Sequence, residues 1–296
     1  MLYETESATW SNSGGALIGM GDQDGDGHAE FIVGASHNST EEHWAGAVYQ
    51  INGDALTESG SVQYMDELAS AVLHGTTQYG YVGFSVADAG DVNGDGEADL
   101  LTGTANMEMP SHLVYGPLSG SLSADVIFSP ETSNSSGQEV SSAQDTNNDG
   151  YDDVMISAPL DSSGTGAIYL VRGPMSATVD LTYADAIIYG DAYGFAGESI
   201  DAAGDTDGDG VSELLIGAPE YSAGSGHAYL VAGTITGTFS LASADGTLSN
   251  IKSYSGLGTT VSGVGDVSGD GLDDILVAAP EHNGLGAVFL FHGGSL

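Results

Sequence analysis

Short apolar runs, four to six residues long, recur along the chain with polar, glycine-bearing gaps between them. One series reads FIVGAS, LLTGTA, VMISAP, LLIGAP and ILVAAP, and a second follows it, reading GAVYQING, HLVYGP, GAIYLVRG, GHAYLVAG and GAVFLFHG. Runs this short, rich in Val, Ile, Leu, Tyr and Phe and bounded by Gly, Pro, Asn and Ser, predict strands. No segment sustains a helical apolar period between caps, so almost no helix is expected. Segments of small residues precede the first series (ALIGMGD, FSVADAGD, VSSAQD, SIDAAGD, VSGVGD), and weaker runs near Val72, Val126, Ile187 and Ile251 follow the second. Each unit therefore holds about four antiparallel strands.

A four-stranded sheet cannot bury both faces alone and must stack on its neighbours. Radial stacking of such sheets predicts an all-β fold, a β-propeller of five four-stranded blades, forming one domain over residues 1–296. The chain ends on the third strand of the fifth unit. It begins with LYETESATW, placed where a fourth strand stands in the other units. The expectation is that Leu2 to Ser7 complete the last blade and close the ring, removing its exposed edges. The competing reading is an excerpt of a longer propeller.

Between the first and second strands of each unit lies an acidic loop: DQDGDGHAE, DVNGDGEAD, DTNNDGYDD, DTDGDGVSE and DVSGDGLDD, covering residues 22–30, 91–99, 145–153, 205–213 and 266–274. Counted from the first Asp, positions one, three and five carry oxygen-bearing side chains. These are Asp22, Asp24, Asp26; Asp91, Asn93, Asp95; Asp145, Asn147, Asp149; Asp205, Asp207, Asp209; and Asp266, Ser268, Asp270. Position six is always Gly, as a sharp turn with an unusual φ requires. Position nine is always acidic: Glu30, Asp99, Asp153, Glu213 and Asp274. Hard oxygen ligands alternating around a glycine turn suit calcium, whereas zinc prefers nitrogen or sulfur. An EF-hand would end in a bidentate Glu at position twelve. Here that position is Val33, Thr102, Ile156, Ile216 or Val277. The loop is a strand-loop-strand site, and about five Ca²⁺ ions are expected. Converging carboxylates without a cation would repel one another, so calcium is expected to be structural.

Charge sharpens the choice of partner. The chain carries 42 acidic residues against two basic ones, Arg172 and Lys252, for a formal net charge of −40. Such a polyanion is repelled by nucleic acid and anionic membrane, and attracted to cations. There are no cysteines, which excludes disulfides, zinc-thiolate sites and cysteine nucleophiles. No apolar stretch is long enough to span a membrane, and the first residues lack a signal-peptide pattern.

The order Phe-Gly, acidic loop, Gly-Ala-Pro resembles the FG-GAP repeat of integrin α-subunit propellers and related bacterial proteins. It appears as Gly83-Phe84, Asp91 to Asp99 and Gly103-Thr104-Ala105, and most cleanly as Gly194-Phe195, Asp205 to Glu213 and Gly217-Ala218-Pro219. The resemblance implies calcium held by side chains at positions one, three, five and nine. It adds the carbonyls at position seven: His28, Glu97, Tyr151, Val211 and Leu272. It departs from integrins in blade number, in Asn148 where glycine is usual, and in the weaker ligand Ser268.

The implied role is a non-enzymatic adhesion or recognition module, extracellular or at the cell surface, with a protein or glycan ligand. The alternatives are a glycan- or phosphoester-active enzyme domain and a passive spacer in a larger surface protein. Against an enzyme, Glu41, Glu42, Glu108, Glu198 and Glu281 show no convergent pattern, and no nucleophile or phosphate-binding motif occurs. His282 and His292 read as a loop and a strand-end residue. The long loop SHNSTEEHWAG carries His43 and Trp44, and NMEMPSH carries Met107 and Met109. Trp44 is a candidate to stack on a sugar or clasp a basic partner. The plainer reading folds it back over its own blade.

Overall fold

The first blade is built from Ser13–Gly21, Glu30–Ala35, Ala47–Ile51 and Ala69–His74, hydrogen-bonded in that order. The computed structural model describes residues 2–3, 11–55, 63–105, 109–130, 136–191, 193–220, 224–249 and 254–295. The second blade repeats the order with Val86–Asp88, Leu100–Thr102, Ser111–Val114 and Val126–Ser129. The third has Val140–Gln144, Asp153–Ala158, Ala167–Val171 and Ala186–Tyr189. In the fourth stand Ile200–Gly204, Glu213–Ala218, His227–Ala232 and Gly246–Ser249. The fifth holds Thr260–Gly265, Asp274–Ala279 and Ala287–Phe291. The protein is an all-β propeller of five blades. Among the described residues, α-helix is confined to two single turns, Met65–Leu68 and Asp161–Gly164.

The blades are not uniformly four-stranded. Gly120–Ser121, Ala177–Asp180 and Gly237–Ser240 each pair in parallel with the fourth strand of the preceding blade, making the first three sheets five-stranded. After the second and third of these additions the chain turns and buries Leu181 and Leu241 between blades. The last blade has three strands among the described residues.

The expected seam also differs. Leu2–Tyr3 pair in parallel with Gln63–Tyr64, not with the last blade. Gln63–Tyr64 precede the first blade's fourth strand as Gly120–Ser121 precede the second's. Leu2–Tyr3 therefore stand toward the first blade as the fourth strand of the first blade, Ala69–His74, stands toward the second. Ser7, Met107, Glu108, Ile251 and Lys252 lie outside the described residues. The fourth strand expected near Ile251 is Gly246–Ser249, a little earlier in the chain.

Strand alternation explains why the runs are apolar throughout. In Glu213–Ala218, Leu214 and Ile216 pack toward the third blade while Leu215 packs toward the fifth. Both faces are buried, so alternation with polar residues is lost. The blades also touch backbone to backbone. A Cβ on Gly34, Gly103 or Gly217 would lie 2.2, 2.1 or 2.0 Å from the carbonyl oxygen of Gly83, Gly137 or Gly258 in the next blade. These contacts give the two glycines of the repeat a common purpose, which is to let neighbouring blades approach. By that contact Gly83 matches Gly197, which sits against Ser157, and not Gly194.

At the two ends of the row the same positions face solvent. Val288 and Leu290 on the last blade are 66% and 45% exposed, and Leu17 on the first is 62% exposed. Leu230, which matches Leu290 in register, is buried by the blade that follows it.

Candidate metal centres

Four of the five acidic loops begin at a bulge. The register between first and second strands slips at Gly19/Gly21, Ser142/Gln144, Ala202/Gly204 and Gly263/Gly265. A bulge bends the strand and turns the next residue, the first Asp, into the loop. That Asp then organises the turn. Asp22 accepts from the amides of Gly25 at 2.8 Å, Asp26 at 3.1 Å and Gly27 at 2.9 Å. Asp91 and Asp266 do the same in their loops, while Asp145 and Asp205 keep the bond from the position-six glycine. The position-six glycines have φ between 86° and 94°, closed to most side chains. Asn148 adopts φ 58° where the other loops place glycine, as its short amide permits.

The position-nine acids are buried and fixed from the strand side. Glu30 accepts from the Gln23 amide, Asp99 from Val92, Asp153 from Thr146 and Glu213 from Thr206. Asp99, Asp153 and Asp274 spend their second oxygen on the amides of Gly116, Gly173 and Gly293. Glu30 does not: its Oε1 is buried and has no hydrogen-bond partner. The extra methylene carries the glutamates further into the loop. Asp22, Asp24 and Glu30 bring ligand oxygens within 4.8 Å of one another, and so do Asp205, Asp207 and Glu213. The oxygen-only donor set and the orphaned Glu30 oxygen fit a hard divalent cation.

The second and third loops are less highly charged at the same point. Asn93 donates its amide to Asp95 at 3.0 Å and Asn147 donates to Asp149 at 2.9 Å, relieving part of the repulsion. Burial pushes the Asp99 carboxyl up to about 6, against the Gly116 and Val92 amides, with Asp95 and Asp91 adding to the rise. Burial also raises Asp153, opposed by Thr146, Gly173 and Arg172. Arg172 Nε lies 3.9 Å from Asp153 Oδ2, and the guanidinium donates to the carbonyls of Gly233 at 2.8 Å and Ile235 at 3.1 Å. One of the two basic residues thus ties the third loop to the fourth blade.

Neighbouring loops are joined by residues that the loop pattern leaves unassigned. Asp152 Oδ2 accepts from the Asp91 amide at 2.8 Å, and the Asp152 amide donates back to the Asp91 carbonyl at 3.0 Å. Asp273 makes the same reciprocal pair with Asp205, at 2.9 Å in both directions. These position-eight acids have no counterpart in the other loops, which is why a repeat-by-repeat reading passes over them.

At the opposite ends of the strands, Trp44 is half-buried in an aromatic cluster. Its ring stacks on His43 at 4.8 Å and meets His37 at 5.2 Å and Tyr79 at 5.8 Å. Trp44 is folded back onto its blade, and His43 and Tyr79 are the exposed members. Trp44, Tyr79 and Tyr81 all carry positive φ, at 53°, 59° and 53°. The acids outside the loops are less scattered than their spacing suggests. Burial raises Glu139 to about 7, with Glu198 and Asp201 adding to the rise.

Three stretches of the chain, residues 136–171, 196–231 and 257–291, match the family description FG-GAP repeat. Integrin alpha-4 of Xenopus laevis is 31% identical over 147 residues, which is 49% of this chain and 14% of that protein. Integrin alpha-PS2 of Drosophila melanogaster is 28% identical over 158 residues, 50% of this chain and 11% of that protein. Integrin alpha-2 of Bos taurus is 32% identical over 75 residues, 24% of this chain and 6% of that protein. The chain thus spans only a small part of the length of these relatives.

Proposed function

We propose that this chain, an FG-GAP repeat β-propeller, is a calcium-stabilised recognition module that works outside the cell. The observations that carry the calcium reading are the buried, unpartnered Oε1 of Glu30 and the grouping of the Glu30 carboxylate with those of Asp22 and Asp24. Two further carboxylates beside a buried one cost stability until a cation joins them. The ligand set is the one named above, with Asp22, Asp24, Asp26 and Glu30 in the first loop and their counterparts in the other four. When bound, calcium supplies charge neutralisation and a rigid corner between two strands. Millimolar calcium outside cells fills loops of modest affinity, which favours that location. No described helix is long and apolar enough to cross a membrane.

Recognition is assigned to the face opposite the loops. A cleft of about 580 Å³ opens there across the third to fifth blades, lined by Leu160, Phe195, Tyr254, Glu198 and Glu220. Tyr254 is 70% exposed. Exposed aromatic rings beside carboxylates suit a carbohydrate or a basic segment of a protein. His43 is a second contact candidate at the same end of the blades. An array of glycans and of extracellular proteins, probed in millimolar calcium, tests this reading. Specific binding abolished by Tyr254→Ala supports it, and an absence of any specific binding argues for a spacer. The raised Glu139 beside Glu198 and Asp201 favours one other reading, a glycan-active site, because a carboxyl kept protonated near neutrality can act as an acid. Turnover of a bound glycan would establish that reading.

A further inference from the structure

Four of the five blades place an aromatic ring at one position of the third strand. Tyr49 stands opposite Val33, Tyr169 opposite Ile156, Tyr229 opposite Ile216 and Phe289 opposite Val277. In the second blade the same register pairs His112 with Thr102. The His112 side chain is smaller than the tyrosines at this position, and it borders an open space. A cavity of about 350 Å³ lies between the first and second blades, lined by Leu73, Val82, Met109, Leu122, Ile127 and His112 among others.

Its character is mostly apolar, with polar side chains from His74, Thr76, Thr77, Thr104 and Ser123 as well as His112. His74 Nδ1 is buried without a hydrogen-bond partner. Leu73, Val82 and Leu122 belong to the core that joins the two blades. His112 Nδ1 is buried and has no hydrogen-bond partner. At the mouth, Ile127 is 37% exposed, so the space communicates with solvent. The first blade shows how the position is satisfied when filled: the Tyr49 hydroxyl accepts from Asn38 at 3.1 Å.

We propose that this cavity binds a small neutral aromatic alcohol of the phenol class. The ligand ring takes the volume that tyrosine fills elsewhere, and its hydroxyl bonds His112. Apolar cavities of this kind bind aromatic molecules in place of a missing side chain, and the volume falls within the range of small-molecule sites. A phenolic oxygen both donates and accepts, so it satisfies His112 in either tautomer. Burial also depresses the His112 imidazole to about 4, keeping it uncharged in neutral solution. The site lies away from the acidic loops and does not depend on the calcium reading.

The test is a titration of the calcium-saturated protein with 2-naphthol, followed by its fluorescence, with naphthalene as the partner lacking a hydroxyl. Saturable one-to-one binding of 2-naphthol is expected, several-fold tighter than naphthalene. His112→Tyr restores the ring of the other blades and should weaken 2-naphthol at least tenfold without lowering the melting temperature. Ile127→Trp, which narrows the mouth from outside, should weaken it as well. Absence of 2-naphthol binding, or equal affinity in the wild type and H112Y, would overturn the proposal. Equal affinity for naphthalene would overturn the hydrogen bond to His112 and the phenol-class assignment with it.

Discussion

Glu30 holds the amide of Gln23 at 2.7 Å with one carboxylate oxygen and keeps the other buried without a partner. One side chain therefore ties the start of the loop to its end and leaves a second, buried acceptor without a protein donor. The consequence is a sign change that depends on calcium. In millimolar calcium, Glu30→Gln should weaken the first site at least tenfold and lower the melting temperature. In excess EDTA the same variant should be as stable as the wild type or more so, because it removes an uncompensated buried charge. Calorimetric titration and thermal melts of both proteins check the two halves. Destabilisation of equal size in both conditions would mean that Glu30 acts only through Gln23.

The glycine contacts between blades make a second prediction. A Cβ at Gly217 meets the Gly258 carbonyl oxygen at 2.0 Å, and that oxygen is backbone that cannot swing aside. Gly217→Ala should cost at least about 1–3 kcal/mol. Gly19 has nothing within 4 Å of its Cβ position and an ordinary φ, so Gly19→Ala should be neutral or stabilise by about 0.4–1 kcal/mol. Denaturant midpoints of the two variants separate blade contact from a general intolerance of alanine.

Burial at matching positions supplies a third. Leu230 and Leu290 share a register, but only Leu230 is covered by a following blade. Leu230→Ala should cost about 2–5 kcal/mol, and Leu290→Ala less than about 1 kcal/mol. Comparable losses at both positions would show that the end face of the last blade is covered in solution.

A fourth concerns pH. Burial, with Glu198 and Asp201 nearby, raises the Glu139 carboxyl from 4.5 to about 7. The folded chain then holds a proton that the unfolded chain has released, so this group favours folding at low pH. That contribution is fully present below about pH 4.5 and is lost as pH rises through about 7. Glu139→Gln should therefore gain in melting temperature over the wild type as calcium-saturated samples are taken from pH 5.5 to 8. A constant difference across that range would place Glu139 in a solvated setting.

What could be read from the chain was whatever local spacing encodes. The loops announced themselves because Asp, Gly and the position-nine acid must alternate within a single turn. The strands did so because both faces of each blade are buried. What stayed hidden depends on partners distant in sequence. Gly120–Ser121 are too short and small to look like a strand, and only the neighbouring Ala71 and Val72 make them one. Leu2–Tyr3 looked like the last blade's missing strand because their place in the repeat is that of a fourth strand; the pairing with Gln63–Tyr64 is what the sequence pattern omits. The links from Asp152 to Asp91 and from Asp273 to Asp205 join separate repeats and leave no mark within either. His112 did leave a mark: with the third strands aligned, HLV interrupts a column otherwise held by Tyr or Phe.

The most direct measurement is the melting temperature in millimolar calcium against excess EDTA. If each site binds calcium a hundredfold below the working concentration, each adds about 2.7 kcal/mol. At roughly 2–4 °C per kcal/mol for a large domain, several such sites amount to tens of degrees. A fall of that size on chelation, reversed by added calcium and not by equal magnesium, is the predicted result. An unchanged melt in excess EDTA would contradict calcium as the structural pin of the blades.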